Sequence, residues 1–177
     1  MADAAQIDDA FSRYVADCLN RINFAGPVRV LDVPCGFGRN GLWLCQKGHE
    51  VVCADNDQDR VRAVSKSARH RGLDSLHCVV ADAERELPFA DASFDLVIVV
   101  HYVSATIIAS IHRVVRPNGY LIYETFGLQG NNWLSLPKPG EMRQRLASGF
   151  ALINYKERAA TTRKHDVVAV KLLARIL

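Results

Sequence analysis

The stretch VRVLDVPCGFGRNG, residues 28–41, decides the fold of this chain. Its first six residues, 28–33, have the apolar pattern of a buried strand, and residues 34–38 form a glycine-bearing turn. A helical pattern follows over 40–47, and Gly48 is placed to end it. This strand, turn and helix predict the first unit of an alternating α/β fold.

The same unit recurs further along the chain. EVVCAD (50–55) and LHCVVAD (76–82) predict two more strands, and the helix between them begins after Asp57 and ends before Gly72. The next strand is FDLVIVV (94–100). A helix over 107–115 follows, with Ser104 or Thr106 as its cap. An RPNG turn (116–119) then leads into strand YLIYETF (120–126). Strands that alternate with helices predict a doubly wound, mostly parallel sheet.

The two ends of the chain have different patterns. Apolar residues recur at helical spacing over 7–22 and predict a leading amphipathic helix, which Gly26 and Pro27 end. A polar stretch (127–140), a short helix (141–147) and two strands follow the fifth strand. The last two strands, FALINYKER and DVVAVKLLARI, are joined too closely for a helical crossover. We therefore expect an antiparallel C-terminal hairpin.

Composition predicts an ordinary cytoplasmic domain. The chain has 177 residues, 49% of them hydrophobic, and a net charge of +3, which indicates one globular domain with little attraction for polyanions. The longest strongly apolar run, 96–100, is too short to cross a bilayer, and the start MADAAQIDD has no leader pattern, so we expect no membrane association. The five cysteines lack C-x-x-C spacing, which favours reduced, buried thiols over a disulfide or a metal site. The oligomeric state stays open.

Acidic residues end the predicted strands, at the edge where open parallel sheets bind ligands. Asp32 ends the first strand, and Gly36 and Gly38 in the following turn allow a ligand to approach the backbone. Residues 36–41 match G-x-G-x-x-G, with Asp55 about twenty residues on, as in nicotinamide-dinucleotide sites. Asp32 argues against a dinucleotide, because a second carboxylate would repel a pyrophosphate but would orient the cationic amine of a methionine moiety. We therefore expect S-adenosylmethionine (AdoMet).

Five motifs occur in order along most of the chain: VLDVPCGFGRNG, VVCADND, VVADAERELPF, FDLVIVVHYV and RPNGYLIYETFG. Together they resemble class I AdoMet-dependent methyltransferases, and within that superfamily they look closest to the tellurite-resistance and thiopurine-type enzymes. The resemblance implies a seven-stranded, Rossmann-like sheet with a reversed final hairpin. It also implies a single methyltransferase domain over 1–177, made of a leading helix (1–26), a cofactor-binding core (27–125) and an acceptor-side part (126–177).

The resemblance further implies roles for residues at matching positions. Asp32, Cys35, Gly36 and Gly38 would lie beneath the methionine part of AdoMet, with Arg39 near its carboxylate. Asp55 would accept hydrogen bonds from both ribose hydroxyls. Asn56, Asp82 and Ala83 would lie around the adenine, and Val99 would lie beside the sulfonium.

The methyl group of AdoMet is already activated, so the protein has to supply alignment and shielding, and no metal is required. His101 follows the fourth strand and is the candidate base or acceptor contact, with Tyr102 beside it. The expected acceptor is a thiol, a heterocycle or a metalloid oxyanion, and a soft nucleophile such as a thiolate, tellurite or selenite would need no general base. The polar loop after the fifth strand lies at the same edge. We expect it to form the acceptor pocket with the side chains of Phe126, Asn131, Asn132 and Trp133.

These observations predict a methyltransferase with a small-molecule acceptor. An RNA methyltransferase is the first alternative, since the helix over 57–71 carries a basic cluster; a solvated helix face also explains that cluster. A non-catalytic AdoMet-binding regulatory protein is the second. Two departures from the family suggest it, namely Pro34 in place of glycine and Asn56 in place of an apolar residue that packs on adenine. The fourth strand lacks an N-P-P-Y-like ending, which argues against transfer to amino groups of bases or proteins.

Overall fold

A computed structural model of the chain describes residues 11–104, 106–125, 136–160 and 166–177. Within these ranges the elements, in chain order, are α1 (Arg13–Ile22), β1 (Arg29–Asp32), α2 (Arg39–Gln46), β2 (Glu50–Asp55), α3 (Gln58–His70), β3 (Leu76–Val80), β4 (Phe94–Val100), α4 (Ile107–Val114), β5 (Val115–Glu124), α5 (Glu141–Arg145), β6 (Phe150–Ala159) and β7 (Val168–Ile176). The alternation of strands and helices up to β5 follows the sequence pattern.

The strands form a seven-stranded sheet in the order β3-β2-β1-β4-β5-β7-β6. Neighbouring strands from β3 to β5 are parallel, whereas β7 runs antiparallel to both β5 and β6. The predicted doubly wound sheet with a reversed C-terminal hairpin is therefore confirmed. Strand order reverses between β1 and β4, which is the point where such sheets bind ligands.

Helices cover both faces of the sheet. Leu96 and Ile98 of β4 pack in the layer of α1, α2 and α3, while Val97 and Val99 pack in the layer of α4. All four side chains are fully buried, as expected for a central parallel strand covered on both faces. Each such side chain contributes about 1.5–3 kcal/mol through burial, so β4 is a firmly held support for the residues that follow it.

The start of β5 differs from the prediction of a separate turn. Residues 116–119 lie inside this strand, and the pairing of β4 with β5 shifts register beside them. Asn118 takes a φ of 64° there, a left-handed conformation that asparagine tolerates better than most residues. The RPNG segment is therefore an irregularity within the strand, of the kind that bends a sheet locally.

The helix starts also refine the predictions. Thr106 is the N-cap residue of α4 and its own side chain makes no capping bond. The Oγ of Ser104 accepts the backbone N–H groups of Thr106 at 3.1 Å and Ile107 at 3.3 Å instead. Ser12 is the N-cap of α1, and its Oγ accepts the N–H of Val15 at 3.4 Å. The first part of the predicted leading helix, residues 7–10, lies outside the described ranges. Among the described residues, no helix has both the length and the apolar character needed to cross a membrane.

Candidate functional site

A glycine turn joins β1 to α2 at the carboxyl edge of the sheet. Gly36 and Gly38 have φ values of 56° and 72°, which residues with a Cβ adopt only at a cost. A Cβ on Gly38 would also lie 2.7 Å from Cγ1 of Val64 in α3. The turn therefore needs glycine at position 38 both for its backbone conformation and for its close packing on α3.

Asp32 ends β1 and lies beneath this turn. The residue is 1% exposed, and its Oδ2 accepts the N–H of Gly41 in α2 at 2.9 Å. Burial raises the pKa of this carboxyl to about 8, against the opposing effects of the Gly41 N–H and the Arg39 guanidinium. A cationic group bound close by would favour the ionised form.

Asp55 ends β2, the neighbouring strand, and is also 1% exposed. Its Oδ2 accepts the N–H of Gly36 at 2.8 Å, and its Oδ1 accepts the N–H of Asp57 at 3.0 Å. The cap of α3 is Asp57 itself, which accepts the N–H groups of Asp59 and Arg60. Asp55 is thus not a helix cap: it ties the glycine turn to β2, and each of its oxygens has a second lone pair for a further donor.

The residues around the next strand end form a mixed surface. Oδ1 of Asp82 accepts the N–H of Glu84 at 2.9 Å, Ala83 is buried and Asn56 is exposed. Val80, the last residue of β3, pairs in register with Asp55 and is 52% exposed. The sequence analysis missed Val80; an apolar residue at the very end of an edge strand was the only available signal.

His101 follows β4 and meets Arg39, the first residue of α2. Nη2 of Arg39 lies 2.6 Å from Nδ1 of His101, and the His101 backbone N–H donates to the carbonyl of Glu124 at 2.7 Å. Burial lowers the pKa of the imidazole; Arg39 and Lys171 lower it further, and Glu124 opposes them. The imidazole is therefore neutral at physiological pH.

Tyr102 is bound to a residue that the sequence analysis did not single out. Its hydroxyl donates to Glu84, which also accepts the hydroxyls of Ser104 at 3.0 Å and Thr106 at 2.5 Å. Burial, followed by the Glu84 carboxylate, raises the pKa of the Tyr102 hydroxyl far above its ordinary value. Tyr102 thus has the contacts of a positioning residue that fixes the loop behind β4.

Glu124 ends β5 and is a second residue that the sequence analysis missed. It is 6% exposed; its Oε1 lies 2.5 Å from Nζ of Lys171 in β7, and its Oε2 accepts the hydroxyl of Ser12 at 2.5 Å. The backbone N–H of Ser12 donates to Oδ1 of the buried Asn40 at 2.8 Å. This network fastens the start of α1 to both α2 and β5.

The other predicted site residues have mixed outcomes. Cys35 is buried within the turn. Val99 has no exposed surface and packs in the core with α4, so no part of it is open to a ligand in this structure. Phe126, Asn131, Asn132 and Trp133 lie outside the described residues. The predicted residues that the structure places at the carboxyl edge of the sheet are Asp32, Gly36, Gly38, Arg39, Asp55 and His101, together with Asp82 and Ala83 after β3 and Tyr102 after β4. Throughout the described ranges, no group of three or more His, Cys, Asp or Glu residues is arranged to hold a metal ion.

A doubly wound sheet with two buried carboxylates around a glycine turn has the architecture of open α/β proteins that bind ligands beyond the carboxyl ends of their strands. Residues 30–119, just over half of the chain, match the family model described as a methyltransferase domain. The chain belongs to this methyltransferase family, and the predicted class I resemblance is confirmed. A curated relative, phthiotriol/phenolphthiotriol dimycocerosates methyltransferase 1 of Mycobacterium ulcerans, is 36% identical over 102 residues; the match covers 54% of this chain and only 36% of that protein.

Solved structures with low sequence identity share the fold. The [4+2]-cyclase SpnF superposes with a TM-score of 0.76 at 21% identity, over 93% of this chain and 80% of that one. TehB from Haemophilus influenzae gives a TM-score of 0.70 at 17% identity, over 92% of this chain and 62% of that one. A cyclase and a methyltransferase family thus use the same architecture, so the reaction has to be argued from the site.

Proposed function

We propose that this chain is an AdoMet-dependent methyltransferase with a small-molecule acceptor, and that residues 1–177 act as one domain. Asp55 carries the proposal. A buried carboxylate at the end of β2, bonded to the backbone of a glycine turn, is suited to accept two vicinal ribose hydroxyls through its two oxygens. The family match over 30–119 supports AdoMet as the nucleoside.

The residues around Asp55 fit the rest of such a ligand. Asp32 lies beneath the turn, and burial favours the protonated form of its carboxyl. An ammonium group bound nearby would cause this carboxyl to ionise, and the resulting carboxylate would stabilise the ammonium group. Arg39 at the start of α2 supplies donors for a carboxylate, and the helix N-terminus adds to them. The two charge types of an amino acid therefore have separate partners on this chain.

The adenine side of the proposed site combines polar and apolar groups. Asp82 and the backbone of Ala83 are suited to an exocyclic amino group. Asn56 is polar where the family has an apolar contact, but the exposed side chain of Val80 lies beside Asp55. We infer that Val80 offers the apolar surface that Asn56 does not.

The bound cofactor would supply a methyl group on a positively charged sulfur, a group that needs alignment more than activation. The chain's contribution is to hold the acceptor in line and to exclude water. His101 stands at the end of the firmly packed β4, and its backbone is fixed by the carbonyl of Glu124. These residues are suited to position an acceptor.

The RNA alternative has weaker support. In the basic cluster on α3, Arg60 pairs with Asp57 at 3.2 Å and Arg62 with Asp59 at 3.3 Å. Pairing within the helix reduces the charge available to phosphates and favours a solvated face. Binding of RNA at physiological ionic strength, with an affinity that falls steeply as salt is added, would support an RNA methyltransferase instead.

Replacing Asp55 tests the proposal. Asp55→Asn removes the charge and leaves one oxygen for the two backbone N–H groups, of Gly36 and Asp57, that the carboxylate accepts. It should weaken AdoMet binding by about 1.5–3 kcal/mol, roughly 10- to 150-fold. Isothermal titration calorimetry measures this change, and release of S-adenosylhomocysteine with thiol, thiopurine, carboxylate and metalloid acceptors measures turnover.

The matched control is Asp59→Asn, which removes a carboxylate whose side chain is 91% exposed in the same part of the chain. It should leave AdoMet affinity unchanged. Equal affinity of wild type and Asp55→Asn would overturn the ribose assignment. Tight AdoMet binding without turnover on any acceptor would favour the regulatory alternative.

A further inference from the structure

The contact between Arg39 and His101 determines which ring nitrogen of His101 carries a proton. A guanidinium has only N–H donors and no acceptor. Its Nη2 lies 2.6 Å from Nδ1 of His101 and 3.5 Å from Nε2, so Nδ1 is the nitrogen that accepts. A neutral imidazole has one N–H, and the hydrogen-bond pattern therefore assigns that proton to Nε2.

The charges around His101 keep it in this state. Arg39 from α2 and Lys171 from β7 both disfavour a positively charged imidazole, and Glu124 from β5 favours it. Glu124 is itself bound to Nζ of Lys171 at 2.5 Å and to the Ser12 hydroxyl. Counted over the residues that the structure describes, two cations and one paired carboxylate leave a net positive charge beside the end of β4.

Tyr102, the other predicted catalytic residue, is also unsuited to remove a proton. Its hydroxyl donates to Glu84, and the same carboxylate binds the hydroxyls of Ser104 and Thr106. Neither Nδ1 of His101 nor the Tyr102 oxygen is therefore placed to act as a general base, since each is already committed to a charged partner.

We propose that the methyl acceptor reacts as an anion, a carboxylate or a thiolate, and that His101 donates a hydrogen bond to it through Nε2–H instead of taking a proton from it. This inference rests on the proposed methyltransferase function. A lone pair of the anion forms the new bond to the methyl carbon, and the carbon–sulfur bond of the sulfonium breaks with its electron pair left on sulfur. The products are a neutral methyl ester or thioether and S-adenosylhomocysteine, and no proton is released.

The tautomer can be measured without any acceptor or cofactor. In protein labelled with ¹⁵N-histidine, long-range ¹H–¹⁵N spectra distinguish a protonated ring nitrogen from an unprotonated one, and the His101→Gln variant identifies the His101 signals by their loss. We expect Nε2 protonated and Nδ1 unprotonated from pH 7 to pH 8. An Nδ1–H tautomer or an imidazolium at pH 7 would overturn the inference.

Two substitutions separate a hydrogen-bond donor from a base. His101→Gln keeps an N–H donor near the Nε2 position, whereas His101→Leu keeps none, and both side chains meet the same left-handed backbone at φ 60°. With an acceptor that the wild type methylates, we expect turnover within about 10-fold of wild type for the glutamine variant and a loss of on the order of 100-fold for leucine. Melting temperatures check that both variants fold. Equal losses in the two folded variants contradict a donor role.

The pH dependence of turnover gives an independent result. At saturating AdoMet, kcat/KM for an aromatic thiol and for an alkane thiol should each rise with the ionisation of that thiol, while a carboxylic acid should react at a rate independent of pH from 6 to 8. A single pKa common to all acceptors and abolished in His101→Gln would show that His101 is a base and overturn the inference. AdoMet binding without turnover would refute the proposed function, and the tautomer measurement would still decide the state of His101.

Discussion

Two groups of residues at the carboxyl edge of the sheet, here called walls, are built in different ways. The first wall consists of Asp32, Gly36, Gly38 and Asp55 at the ends of β1 and β2, where carboxylates bind backbone N–H groups close by in sequence. The second wall consists of His101, Tyr102 and Glu124 at the ends of β4 and β5, where side chains bind side chains from distant elements. Backbone donors are fixed by the fold, so the first wall suits an invariant cofactor. Side-chain partners change with single substitutions, so the second wall suits a variable acceptor.

The largest expected effect concerns Asp32 in the first wall. Its pKa is about 8 in the folded protein against an ordinary value of 3.8. Above pH 4 the unfolded chain ionises this carboxyl while the folded protein keeps it protonated, so the free energy of unfolding falls as pH rises toward 8. The slope is roughly 1.4 kcal/mol per pH unit.

Urea unfolding at pH 5, 6, 7 and 8 measures this dependence. Asp32→Asn should remove most of the decline, and saturating AdoMet should reduce it in the wild type. Parallel curves for wild type and Asp32→Asn would contradict the assignment of the slope to Asp32.

The next effect concerns the backbone of the first wall. Gly38→Ala places a Cβ at a left-handed φ and against Val64, which should cost about 2–4 kcal/mol of unfolding free energy. Gly26→Ala is the control, because a Cβ there meets nothing within 4 Å. Denaturant midpoints compare the two variants, and similar values would show that the turn tolerates a side chain.

The smallest effect concerns the second wall. Lys171→Met leaves the buried Glu124 with Ser12 as its remaining side-chain partner among the contacts described above. The expected loss is about 1–2 kcal/mol, since the lysine side chain is 48% exposed and solvent screens part of the interaction. Adding Glu124→Gln should recover most of the lost stability, and a double-mutant cycle measures the coupling. Simple additivity would mean that the pair contributes little.

The same contrast explains what could be predicted from the sequence. Asp32 bonds to a residue nine positions away and Asp55 to one nineteen positions away. Both contacts lie within the stretch from β1 through α2 to β2, whose pattern is visible in the sequence. The reversal of the last hairpin followed from the short connection. These parts of the fold and of the site needed only local patterns and the rule for parallel sheets.

The second wall could not be predicted in the same way. Ser12 and Glu124 are 112 residues apart, and Arg39 and His101 are 62 apart, so their contacts depend on tertiary packing. His101 was selected for its chemistry, but its partner was not foreseen, and Glu84 and Glu124 gave no sequence signal beyond being acidic residues near strand ends. Pairings of this kind become visible only when the strands are placed side by side.

Ser12, the residue before α1, is bonded both to α2 and to β5. The Ser12 amide is held by Asn40, directly behind the glycine turn, and its hydroxyl by Glu124 at the other strand end. A movement of α2 would therefore reach β5 through this one serine as well as through the sheet. The start of α1 thereby couples the position of α2 to that of β5, the two elements that carry Arg39 and Glu124.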